Sequence, residues 1–171
     1  MRRAIYAPAM AHDHVAIYLN DHLAGASGLL EMLEHIAAAY AGTDAGRVAK
    51  ALHVEVAEDR DELEQLMASL EIWQSLPRRA SAWVSEKLAW LKLRLDDKGG
   101  GQLHLLEAME AVSIGIEGKR LLWVNLESAS ERSPQLKQLD YTRLIARAED
   151  QRQRVETLRR TAGVAALVDG D

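Results

Sequence analysis

The chain has no cysteine, no phenylalanine and only three prolines (Pro8, Pro77 and Pro134) in 171 residues. Without cysteine there is no disulfide, no thiolate metal site and no cysteine nucleophile. So few prolines, set among many Ala, Leu, Glu and Arg residues, leave little to interrupt helices. The Val/Ile/Thr alternation of strands is also missing. No apolar run approaches the ~20 residues of a membrane-spanning helix, so no membrane partner is expected. The opening MRRAIYAPAMAHDH carries two arginines but no sustained apolar stretch, and does not read as a signal peptide. The expected location is the cytoplasm. A net charge of −5 argues against non-specific nucleic-acid binding. Gly99-Gly100-Gly101 is not followed by Lys-Ser/Thr, and Gly-x-Ser-x-Gly does not occur, so neither a phosphate loop nor a hydrolase elbow is present.

What remains is helical periodicity. A seam of Val15, Leu19, His22, Ala26, Leu29, Leu33, Ile36 and Tyr40 predicts a first helix over 10–40. After the loop AGTDAG, with Thr43 or Asp44 as cap, a second helix is expected over 45–73, stopped before Pro77. Its column Leu52, Glu55, Asp59, Glu62, Leu66 puts three carboxylates at the edge of a packing face. A shorter helix over 81–95 carries Trp83 and Trp90 on one face. A fourth segment, 102–126, has the stripe Leu105, Met109, Val112, Ile116, Trp123, beside a column holding Glu110 and Glu117. The fifth, 138–163, has a narrow apolar face, with its arginines interleaved with acids as on a solvated surface.

The length suits one domain spanning 1–171, with 1–9 and 164–171 expected as flexible tails. The short loops pair the first two long helices with each other, and likewise the last two. The connection between the pairs is about 28 residues. The expected fold is all-α, a four-helix bundle with an additional short helix in the long crossover.

On these features the chain resembles the ferritin-like bundles. It also resembles bacterial helical proteins of uncharacterised function that carry YLNDHLAGA (Tyr18–Ala26) early, an acidic second helix, and GIEGK (Gly115–Lys119) in the fourth segment. The resemblance covers most of the chain and implies a fold, with no activity attached. Ferritin-like di-iron proteins use a Glu from two helices and a Glu-x-x-His from each of the others. Glu-x-x-His does not occur here: Glu31 and His35 are four apart, and His104 precedes Glu107. The di-iron motif is not matched.

A different cluster is conceivable. Tyr18, Asp21 and His22 lie near the middle of the first helix and form a candidate polar core layer. With Glu55, Asp59, Glu110 and Glu117 they could face one level of the bundle. His22 and those four carboxylates are the candidate metal ligands. The plainer alternative makes His22 a hydrogen-bonded core histidine, and lets the acids of the second helix meet Arg and Lys partners across a groove. Gly25 and Gly28 read first as close-packing positions and second as a pocket floor.

Three functions follow. The favoured one is a non-catalytic binding or interaction protein, with no cofactor expected and a homodimer as one form. The alternative is a metal-dependent oxidoreductase with an atypical carboxylate/His site for iron, manganese or zinc. The third is a ligand carrier whose pocket is lined by Tyr18, His22, Gly25 and tryptophans.

Overall fold

The computed structural model describes residues 6–74 and 101–169, and among these every regular element is helical. Four long helices account for most of it: α1, Tyr6–Ala39; α2, Asp44–Ser69; α3, Gly101–Ser130; and α4, Tyr141–Val164. A short 3₁₀ turn, Pro134–Leu136, precedes α4, and a π turn, Ala165–Asp169, follows it. The helix expected over 81–95, with Trp83 and Trp90, lies outside the described residues. No helix among the described residues is long and apolar enough to cross a membrane.

α1 starts earlier than its periodicity suggested. Pro8 sits in the first turn, where a helix needs no N–H donor, so it does not delay the start. At the other end, the π turn packs Ala166 against the core.

The α1–α2 turn is made by three residues. Gly42 takes φ +83°, the left-handed region glycine favours. Thr43 Oγ1 accepts the Gly46 N–H at 3.2 Å and donates to the Tyr40 carbonyl at 2.7 Å. Gly46 lets the first turn of α2 press on the end of α1: a Cβ there would lie 2.2 Å from the Tyr40 carbonyl oxygen.

α2 ends at Ser69, well before Pro77. Glu71 adopts φ +56°. Its N–H reaches the Ala68 carbonyl at 3.1 Å, and the Ile72 N–H reaches the Met67 carbonyl at 2.9 Å. These two bonds, with Met67 and Ile72 in the same apolar cluster, form a Schellman stop. Glycine usually occupies the left-handed position, and here a glutamate does. Glu71→Gly is expected to raise stability by about 1 kcal/mol in urea unfolding. No gain would mean that Glu71 is not strained.

The helices alternate in direction between neighbours. α1 runs antiparallel to α2, with His12 Nε2 3.2 Å from the Leu70 carbonyl. It also runs antiparallel to α3, with Asn125 Nδ2 donating to Tyr18 Oη at 2.9 Å near one end and Tyr40 Oη donating to the Gly101 carbonyl at 3.4 Å at the other. α2 and α4 are antiparallel as well, pairing Glu62 with Arg143 and Glu55 with Arg154. α2 and α3 therefore point the same way, and residues 74 and 101 lie at opposite ends of the bundle.

The core is in two blocks. One gathers Leu33, Ile36, Leu52, Val56, Met109, Ile116 and Val155. The other gathers Leu19, Leu63, Leu66, Leu122, Trp123 and Leu144. Between Val56 and Leu63 stands Asp59, between Ile116 and Leu122 stands Lys119, and between Leu144 and Val155 stand Arg147 and Gln151. A polar layer thus separates the two blocks.

Candidate functional site

The layer is built from three helices. Asp59 on α2 is 1% exposed, Lys119 on α3 9% and Gln151 on α4 0%. Lys119 Nζ donates to Asp59 Oδ2 and to Gln151 Oε1. Arg147 donates to Asp59 Oδ1 and, at 2.9 Å, to Glu58 Oε2. The Gln151 amide turns its other end to Glu55 Oε2 at 3.1 Å and to Asp59 Oδ2 at 3.3 Å. Arg154 grips Glu55 with both terminal nitrogens, a two-point fork matching a carboxylate. Burial pulls the Lys119 ammonium below its ordinary pKa, and the neighbouring Asp59 opposes that pull. The hydrogen bond from Arg154 holds the Glu55 carboxyl below its usual range, against the opposite effect of burial.

α1 crosses this level with small residues, Gly25, Ala26 and Gly28. A cavity of about 490 Å³ opens there between α1, α2 and α3, within the usual size of a small-molecule site. Its lining runs from Asp21, His22, Leu63 and Trp123 at one end to Met32 and Ala111 at the other. Asp59 and Lys119 border its middle. A Cβ at Gly25 or at Gly118 would meet nothing within 4 Å, so both glycines face open space. Among the described residues no ring or helix fills the room at Gly25, which is itself exposed, so the close-packing expectation is not met there by them. Gly115 differs, since a Cβ there would stand 3.1 Å from Leu29 Cδ1.

The residues singled out from the sequence are distributed as follows. His22, Asp59 and Glu110 border the same cavity, whereas Glu55 and Glu117 do not line it. Glu55 and Asp59 meet on Gln151. Glu110 is exposed, with Arg159 at 3.6 Å. Glu117 is bound by Arg120, at 2.8 and 2.9 Å. Tyr18 and His22 touch edge to face, ring centroids 4.6 Å apart, and Asp21 is exposed. Burial lowers the His22 pKa, with Asp21 pulling the other way, which favours the neutral imidazole. Among the described residues no group of three or more His, Asp or Glu is placed to hold a metal ion. A cation at Asp59 would have to displace both Lys119 and Arg147.

The sequence reading does not single out Lys119, Gln151 or Arg147 as site residues, whereas Trp123 is one of the tryptophans of the carrier reading and does line the cavity. Lys119 had a visible signal: it falls in step between Ile116 and Trp123, filling the gap in the α3 stripe. Gln151 fills the same kind of gap between Ala148 and Val155. Among the arginines of α4, Arg143, Arg147 and Arg154 reach across to acids of α2, while Arg152 and Arg159 pair with acids of their own helix and also stand 4.0 and 3.6 Å from Glu117 and Glu110 of α3.

Compared with known protein families, curated proteins and solved structures, the chain gives no match.

Proposed function

We propose that the protein is a binding protein that takes a small, mainly apolar molecule into the cavity between α1, α2 and α3. The observation that carries this is the open space above Gly25 and Gly118. The space is a cleft open to solvent at Gly25, which is exposed, and glycine in a helix costs roughly 1 kcal/mol relative to alanine. Two glycines on two helices facing one void make sense if the void is used. The fold supports the same reading: helix directions up, down, down, up, with the long interval 75–100 between two hairpins, suit a ferritin-like bundle, where sites form between facing helices. The carboxylates a metal would need are already held by arginine and lysine, so the geometry favours binding over metal-dependent oxidation.

Titration with a neutral solvatochromic dye tests this. One dye per chain is expected to bind with micromolar affinity. Gly118→Leu, which places a side chain in the void, is expected to weaken binding at least tenfold, or about 1.4 kcal/mol. Gly25→Ala should leave the fold intact. Absence of saturable binding, or binding indifferent to Gly118→Leu, would overturn the proposal.

A further inference from the structure

We propose that the face formed by α1 and α3 is the docking surface for this chain's own residues 75–100, which lay their apolar side along the rim of the cleft. The rim contact does not depend on whether a ligand occupies the space beneath it.

The two ends of the interval fix where it starts and finishes. Asn20 Nδ2 donates to the Trp73 carbonyl at 3.3 Å, and Tyr40 Oη donates to the Gly101 carbonyl at 3.4 Å. The chain therefore leaves α2 beside residue 20 of the first helix and rejoins the bundle beside residue 40, at the first residue of α3. Asn20 and Tyr40 are roughly 30 Å apart at 1.5 Å per residue. The cleft lies between them, since its lining on α1 runs from Asp21 to Met32. The helix expected over 81–95 would cover about 22 Å of that path, with residues to spare on either side to reach the anchors.

Exposed apolar side chains stand along the same path. Ile114 lines the cleft and is 65% exposed. Leu121, two turns further along α3, and Ile17, one turn before Asp21 on α1, are exposed as well. Between them a Cβ at Gly25 or Gly118 would meet nothing within 4 Å. Large apolar groups gathered on one exposed face mark a contact surface. The interval supplies a matching stripe in Val84, Leu88, Leu91 and Leu95, spaced by four and three, with Trp83 and Trp90 beside it.

Charge selects the same occupant. In a chain of net charge −5, the interval is basic: Arg78, Arg79, Lys87, Lys92, Arg94 and Lys98 outnumber Glu86, Asp96 and Asp97. α1 carries Asp13, Asp21, Glu31 and Glu34 and neither Lys nor Arg, and α3 adds Glu107 and Glu110 to the cleft. A basic segment thus meets an acidic face, whereas a second copy seated face to face would oppose like charges.

The absence of cysteine makes labelling selective. Ile114→Cys carries bimane, a dye that a nearby tryptophan quenches. With no ligand present, the bimane is expected to brighten in Trp83→Phe or Trp90→Phe, and equally at every protein concentration. In a second measurement, trypsin should cut within 75–100 about tenfold faster in Ile114→Asp/Leu121→Asp than in the native full-length chain, with cuts in α4 unchanged. The proposal fails if neither tryptophan variant brightens the dye, if brightening appears only at high concentration (the segment then covers another copy), or if the double variant is cut no faster. Should the double variant unfold, the bimane result decides alone. Binding in the cavity is read separately by Gly118→Leu, so either reading can fall without the other.

Discussion

Asp59→Ala is expected to lower the unfolding free energy by about 3–5 kcal/mol, the range for breaking a buried ion pair from one side. Among the described residues Asp59 is the one carboxylate that Lys119 and Arg147 both reach, with one oxygen to each. Removing it affects the two cations unequally. Arg147 is 19% exposed and keeps Glu58 at 2.9 Å, so it can follow its charge outward. Lys119 is 9% exposed and is left with the neutral oxygen of Gln151. Most of the cost therefore falls on Lys119, and Asp59→Leu combined with Lys119→Met should recover more than half of the loss, since apolar residues of like volume replace such pairs with little penalty. Urea unfolding of the single and double variants measures both. A single variant within about 1 kcal/mol of the native protein would mean that Lys119 finds water or another acceptor. A double variant no better than the single would point to packing rather than charge.

Gly46→Ala should cost about 2–3 kcal/mol, near the top of the usual range for overpacking. The obstacle is backbone on both sides. The added Cβ would sit 2.2 Å from the Tyr40 carbonyl oxygen and 2.8 Å from its carbon. That oxygen also accepts from Thr43, through both its N–H and its hydroxyl. Relief by moving Tyr40 would thus disturb the cap of α2. Gly25→Ala makes the matching control, since its Cβ meets nothing within 4 Å and alanine favours helix by up to about 1 kcal/mol. The expected order in thermal unfolding is Gly25→Ala above the native protein and Gly46→Ala below it. The reverse order would contradict the turn geometry.

Much of the fold was legible because helix periodicity is local. The seams of α1 and α3, the Thr43 cap and the pairing through short loops all follow from neighbours in sequence. The stop of α2 was not, because its left-handed position holds Glu71 instead of glycine and Pro77 offered a more familiar terminator. The polar layer was half legible. Asp59 was recognisable as an acid within an apolar column, but its partners lie 60 and 88 positions away, and only tertiary packing shows which cations reach it. Lys119 and Gln151 stood in plain view as gaps in two apolar stripes. They carry meaning once the gaps fall at one height. The cavity was least legible, since glycine in a packing face fits both a close contact and an empty space, and that choice depends on what the opposite helix presents.

The two-block core has one more consequence, for how the helices are indexed against each other. Sliding α2, α3 or α4 by one turn would carry Asp59, Lys119 or Gln151 into an apolar block with its partner left behind, at a cost of several kcal/mol. Charge thus acts as a key that admits a single alignment of those three helices. At the same height α1 offers Gly25, Ala26 and Gly28, and is held by the apolar contacts above and below. Its centre takes no part in the network of Asp59, Lys119 and Gln151, so the register of α1 rests on the apolar contacts of the two blocks.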